Sequence, residues 1–316
     1  MLFVGCMALG LLGVASLLLG YATCLSRKPL SGNPLKENLD RKLAMAQVPG
    51  AKLIILSGSN GEFGYSAQML EQELRVPAVN MGEHAGQGLD YILYRGSLAA
   101  QKGDLFVLPL EYEQYASIEP SGDQTCMQVI LHDAAYRRSL GFWRWARLVF
   151  SIPLKTWSRV VPLEWHAGMR SDAEPIDGWG DPTRDTDPVV IQKTIMELSH
   201  EAPRGMTLSS ESIDDLKRFH ALLQARGARM VVIFPCIYRP LLANGSPQFQ
   251  ANVASLRRAL TADGIPLLGN PEDFTFEASE VYDTVYHENA AGREHATKRL
   301  ITMLQAHGLV APVSAQ

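Results

Sequence analysis

The chain has 316 residues, 47% of them hydrophobic and 20% charged, with a formal net charge of −4. That length buries an ample core and fits a single α/β domain. The slightly acidic balance argues against a nucleic-acid-binding protein and against a polybasic membrane surface.

From Met1 to Ser26 no residue is charged, and Leu2 to Leu19 is almost wholly apolar or small. About 20 such residues cross a bilayer as a helix. The segment lacks the basic start of a cleaved signal peptide, and its candidate cleavage site near Tyr21-Ala22-Thr23-Cys24 is poor. Residues 1–26 are therefore expected to form a single transmembrane anchor. A lipidated Cys24 is the alternative that its flanking residues fit badly. Arg27, Lys28, Lys36, Arg41 and Lys42 follow, and the positive-inside tendency, taken by itself, keeps the remainder cytoplasmic. Cys6 and Cys24 lie in the anchor, while Cys126 and Cys236 either pair or are buried free thiols, the plainer reading.

Residues 27–50, with Pro34, Pro49 and many charges, read as a linker followed by a short helix; the domain proper spans 51–310. Lys52–Ser57, Val76–Met81 and Asp104–Leu110 are short apolar runs suited to buried parallel strands. Helical spacing separates them at Tyr65–Leu74 and Leu89–Ala100. From 113 to 205 the alternation breaks into a Trp-, Arg- and Pro-rich stretch, read as a helical cap insertion with a helix near Tyr136–Phe150. Regularity returns with a helix at Ser212–Gly227, a strand at Arg229–Pro235, a helix at Pro247–Asp263 and a strand at Ile265–Leu268. A last helix, capped by Asn289, runs to about Ala306. Strands alternating with helices predict an α/β fold with a mostly parallel sheet covered on both faces, and active sites in such sheets gather beyond the carboxyl ends of the strands.

Ser59 stands at such an end, in Leu56-Ser-Gly-Ser-Asn-Gly-Glu-Phe-Gly64. Glycines there permit a tight turn and a close backbone approach to a ligand. An ordinary strand-to-helix turn has the same composition. The glycine spacing matches neither a dinucleotide fingerprint nor a P-loop, and no cofactor is expected. Near the other end, Tyr282-Asp-Thr-Val-Tyr-His-Glu-Asn289 places Asp283 one helical turn from His287. A serine hydroxyl needs a base, and a histidine serves best when a carboxylate holds its other nitrogen. A surface Asp beside a loop His is the plain alternative. The eight histidines are scattered, and His287 and His295 lack ligand spacing, so no metal centre is expected.

The order Ser…Asp…His resembles the SGNH (GDSL-like) hydrolases, esterases and acyltransferases on a flavodoxin-like three-layer sheet. Gly58-Ser59-Asn60 matches the nucleophile block and Asp283 with His287 the last block. The wider patterns Gly-Ser-Asn-x-x-Phe-Gly and Asp-x-x-x-His-x-Asn-x-x-Gly look like a membrane-anchored bacterial subset associated with acylation of cell-surface polysaccharides. The resemblance covers about 52–112 and 210–305 and leaves 113–205 unexplained. It implies Ser59 as nucleophile, His287 as base and Asp283 as its orienter. It also implies an oxyanion hole from the backbone N–H groups of Ser59 and Gly82.

The family's third-block Asn has no counterpart here. Glu111 in Leu108-Pro-Leu-Glu-Tyr-Glu113 occupies the approximate place, and the Asp-to-His spacing is one residue longer than usual. Asn60 is the remaining candidate for the missing oxyanion donor. The implied function is an acyl-ester hydrolase or O-acyltransferase, acetyl first among acyl groups, acting on an exported or surface polysaccharide. A membrane acyltransferase is a candidate partner. A catalytically weak or inactive binding or assembly subunit of an exopolysaccharide system is the alternative. The resemblance further implies an inner-membrane, single-pass protein with its soluble domain in the periplasm. It is preferred to the charge count because large domains are translocated against that bias.

Overall fold

A computed structural model of the chain describes residues 2–120, 122–163, 175–183, 207–243 and 247–311. Five short strands form one all-parallel sheet: β1 (Leu53–Ile55), β2 (Ala78–Asn80), β3 (Leu105–Pro109), β4 (Arg229–Ile233) and, after an intervening β5 (Ile237–Tyr238), β6 (Leu267–Leu268). The order is β2-β1-β3-β4-β6, and β5 pairs with β7 (Thr275–Phe276) in a separate two-stranded parallel sheet. Nearly every residue of β1 to β4 is buried, Arg229 excepted, as continuous apolar runs with both faces covered require. The fold class expected from the sequence is thus met as α/β with a parallel sheet and helices, consistent with three layers. The strands are shorter than the apolar runs because pairing stops where the chain turns toward the next helix.

Two inner strands of this sheet are joined at their starts by polar contacts. The Lys52 amide donates to Asp104 Oδ1 at 3.0 Å and the Gln101 amide to Asp104 Oδ2 at 2.8 Å, joining the starts of β1 and β3. The short helix expected after the linker is α2 (Pro34–Ala46), and it buries Leu39, Lys42 and Ala46. Lys42 Nζ, on the buried face, lies 2.9 Å from Glu62 Oε1 and also donates to Gly82 O.

Two compact units emerge, one joining Met1–Glu37 to Glu119–Ala173 and the other joining Asn38–Ile118 to Glu174–Gln316. In the second unit, residues 175–183 make an Ile176–Pro182 bridge and deliver Asp181, a buried carboxylate. Asp181 accepts from the amides of Ala67 and Gln68 and from Ser66 Oγ at 2.9–3.0 Å. The start of α4 (Ala67–Leu74), after the six-residue α3 (Ser59–Gly64), is thereby doubly capped, because Ser66 Oγ also accepts from the Met69 amide.

The first unit is helical: α1 (Leu2–Leu25), α7 (Gln124–Leu131), α8 (Ala134–Ser151) and α9 (Leu154–Leu163). The second holds α5 (Leu89–Ala99), α6 (Tyr112–Ala116), α10 (Ser210–Ala225), α11 (Arg239–Ala243), α12 (Pro247–Ala262) and α13 (Ala290–Ala306). Side chains of α1 are described from Leu12 onward, so the first part of the apolar run read as an anchor lies outside them. Among the described residues, no helix is long and apolar enough to cross a membrane. The transmembrane helix expected from the sequence is thus not found there. Cys126 and Cys236 are buried free thiols, and Cys24 is an exposed one.

One buried acid gives the fold a pH dependence. Glu83, just past β2, is enclosed, and burial pushes its carboxyl up to about 7, with Arg95 and Lys42 opposing. Arg95 Nε stands 3.6 Å from Glu83 Oε1, too far for a hydrogen bond. The folded-state value exceeds the unfolded one, so the native chain keeps a proton that the unfolded chain releases. Stability is then fully present below about pH 4.5 and falls as pH rises to about 7, by about 3 kcal/mol in all. Thermal melts of the full chain between pH 5 and 8 are expected to show that fall, and Glu83→Gln is expected to flatten it. An equal slope in the variant contradicts the assignment.

Candidate active site

The carboxyl ends of β1, β3 and β4 supply the site, in the position that open parallel sheets favour. After β1 the chain turns at Gly58 and begins α3 at Ser59. A β-carbon at Gly58 would lie 2.8 Å from Ala85 and 2.9 Å from Glu111 Oε1. The glycine is what lets Glu111, two residues past β3, reach this turn. Glu111 Oε1 accepts from the Asn60 amide at 2.9 Å and from Ser59 Oγ at 3.3 Å. It thereby satisfies an otherwise orphaned N–H in the first turn of α3. Burial raises the Glu111 carboxyl above the usual range; the Asn60 amide, His287 and Ser59 oppose that rise and Glu113 adds to it. Ser59 itself is partly exposed.

Asp283 and His287 meet as the spacing predicts, with Nδ1 of the imidazole 2.6 Å from Asp283 Oδ1. A carboxylate only accepts, so Nδ1 carries the proton and Nε2 is left basic. The loop that carries them is closed on itself. The Tyr282 amide donates to His287 O at 2.7 Å, Val281 bridges Glu288, and Asn289 caps α13. Two contacts tie this loop to the serine turn. Asn60 Nδ2 donates to Tyr286 O at 2.9 Å, and Phe63 of α3 stacks on the His287 ring at 4.3 Å. Ser59 and His287 therefore flank one hydrogen-bonded pin, each a single residue away from it. Ser59 Oγ has its hydrogen bond to Glu111, however, and among the described residues none joins it to His287.

The oxyanion assignments need correction. Asn60 is not a free donor: its amide nitrogen is engaged by Cys236 O and Tyr286 O, each at 2.9 Å, and its Oδ1 accepts from the Cys236 amide. The Gly82 amide is taken by Asn80 Oδ1 at 2.8 Å. Gly82 has a packing role instead, since a β-carbon there would fall 2.1 Å from the Glu62 amide nitrogen. Of the three donors named from the sequence, the Ser59 amide is left without an acceptor among the described residues.

Sequence reasoning missed two groups. Glu288, next to His287, is fully buried with both carboxyl oxygens unbonded among the described residues, and burial holds its carboxyl well above the usual range. Its place in His-Glu-Asn was the available signal. Tyr286 donates to Glu113 Oε2 at 3.0 Å, linking the histidine loop to α6. Compared with family models and with curated proteins, the chain matches none.

Proposed function

We propose that this protein is a serine acyl-transfer enzyme of SGNH type on a flavodoxin-like sheet. It removes or transfers an acyl group, acetyl in the first instance, on an exported or cell-surface polysaccharide. Residues 1–26 anchor it in the inner membrane with the sheet domain in the periplasm, and a membrane acyltransferase is its natural source of acyl groups. Ser59 is the nucleophile, His287 the base and Asp283 the group that orients the imidazole. In the first half-reaction Ser59 leaves Glu111, passes its proton to His287 Nε2 and attacks the ester carbonyl. The imidazolium then returns the proton to the departing alkoxide. In the second, His287 deprotonates water or a sugar hydroxyl as it attacks the acyl carbonyl, and the imidazolium returns that proton to Ser59 Oγ as the acyl group leaves it.

The observation that carries this reading is the Asn60–Tyr286 hydrogen bond, which fastens the serine turn to the histidine loop beside a formed Asp283–His287 pair. The strand order, which is 2-1-3-4-5 counted within the main sheet, agrees with it. A second reading, a non-catalytic binding or assembly subunit of an exopolysaccharide system, is favoured by the Ser59–Glu111 hydrogen bond and by the engaged Asn60 and Gly82 donors. A serine-directed fluorophosphonate separates the two. The enzyme labels at one site per chain, Ser59→Ala removes the label, and His287→Ala slows it about 100-fold or more. A folded native chain that stays unlabelled is the subunit.

A further inference from the structure

The helical unit contains a groove that the acyl-transfer reading does not use. It has a volume of about 700 Å³ and is lined on one side by Ser16, Leu19, Gly20, Thr23, Cys24 and Arg27. These positions recur every three or four residues and so occupy one face of α1 and its continuation. The opposite wall is one face of α8, from Arg137 and Arg138 through Gly141 and Phe142 to Trp145. The walls are joined where Trp145 Nε1 donates to Thr23 Oγ1 at 3.3 Å. Gly141, at φ 69°, interrupts the regular helix there.

Two features identify an occupant. Arg27, Arg137 and Arg138 bring cationic groups to the groove, and among the described residues none of them has an acidic partner. Arg137 Nε is buried with no hydrogen bond. The remaining lining is largely apolar, and beside it Trp143, 82% exposed, and Phe142 present bare aromatic surface. Arg27 is also the first charge after an uncharged stretch from Met1 to Ser26. Guanidinium groups match phosphate oxygens in geometry and charge, exposed Trp and Phe suit the level of lipid headgroups, and the volume is that of a small-molecule site.

We propose that this groove binds a membrane phospholipid, holding the phosphate of an anionic headgroup with Arg27, Arg137 and Arg138 and laying the start of an acyl chain between Leu19, Gly20 and Phe142. The inference does not depend on Ser59 chemistry, and Ser59→Ala binds lipid as the native chain does.

The test uses the full chain in a neutral detergent, titrated with phosphatidylglycerol brominated in its acyl chains and read as quenching of tryptophan fluorescence. Saturable quenching is expected, with phosphatidylcholine of the same acyl composition at least about tenfold weaker because its headgroup carries no net charge. Inorganic phosphate at millimolar concentration is expected not to compete; competition transfers the site to soluble phosphates and overturns the lipid assignment. The double variant Arg137→Gln/Arg138→Gln is expected to need about tenfold or more lipid for half-saturation. Gly20→Leu is expected to do the same by filling the groove, and a β-carbon there meets nothing within 4 Å, so the helix tolerates it. Far-ultraviolet circular dichroism confirms that both variants are folded. Half-saturation unchanged in both, or phosphatidylcholine equal to phosphatidylglycerol, overturns the proposal.

Discussion

Glu111→Gln is expected to acylate at pH 8 at least as fast as the native chain, while Glu111→Ala is expected to be about 100-fold slower than the glutamine variant, the typical effect of losing an oxyanion donor. The reasoning starts from where the carboxyl sits. Its Oε1 takes both the Asn60 amide and Ser59 Oγ, which leaves Oε2 to carry a proton. Burial raises its proton affinity, and a neutral carboxylic acid in a dry site is a hydrogen-bond donor, the role the absent third-block Asn would fill. Once ionised, the same group repels a developing oxyanion. The native rate is thus expected to fall on the alkaline side as Glu111 loses its proton. Glutamine, always neutral and still a donor, lacks that limb. Fluorophosphonate labelling rates from pH 5 to 9 in the three proteins decide the matter. If glutamine loses 100-fold or more, the proton of Ser59 goes to Glu111, and His287 is not its base.

The sheet was legible in the sequence because its information is local. Leu53–Ile55, Leu105–Pro109 and Met230–Ile233 are apolar without interruption, and a buried parallel strand has no other requirement. The Asp283–His287 pair was legible for the same reason, since four residues of spacing bring the two side chains together almost regardless of context. What escaped depended on distant partners. Lys42 was read only as one of the charges that follow the apolar run because its acceptors, Glu62 and Gly82 O, lie 20 and 40 residues on. Asp181 read as part of an insertion because the amides it caps stand more than 110 residues earlier. Its surroundings, Asp177-Gly-Trp-Gly-Asp181, gave a turn signal but no address. Glu111 was singled out by its position in the chain, yet its bond to Ser59 follows from the missing β-carbon at Gly58, a steric condition that no pattern of residue types expresses.

Asn60→Ala is expected to destabilise the domain by about 3–6 kcal/mol. The Asn60 side chain makes three hydrogen bonds across 176 and 226 residues of sequence, to Cys236 O, Tyr286 O and the Cys236 amide. Alanine leaves two carbonyls and one amide without partners in a buried site, at about 1–3 kcal/mol each, partly offset if water enters. Asn60→Asp is the sharper test because it preserves shape. A carboxylate keeps the bond from the Cys236 amide but turns a donor into an acceptor facing two carbonyl oxygens. It is expected to be worse than alanine at pH 7 and to recover as pH falls and the acid protonates into a donor. Urea unfolding of native, Ala and Asp chains at pH 5 and pH 7 measures both effects. A loss below about 1 kcal/mol for alanine, or an aspartate variant indifferent to pH, removes the pin between the serine turn and the histidine loop. Without that pin, the Phe63–His287 stack is left to hold the serine turn against the histidine loop.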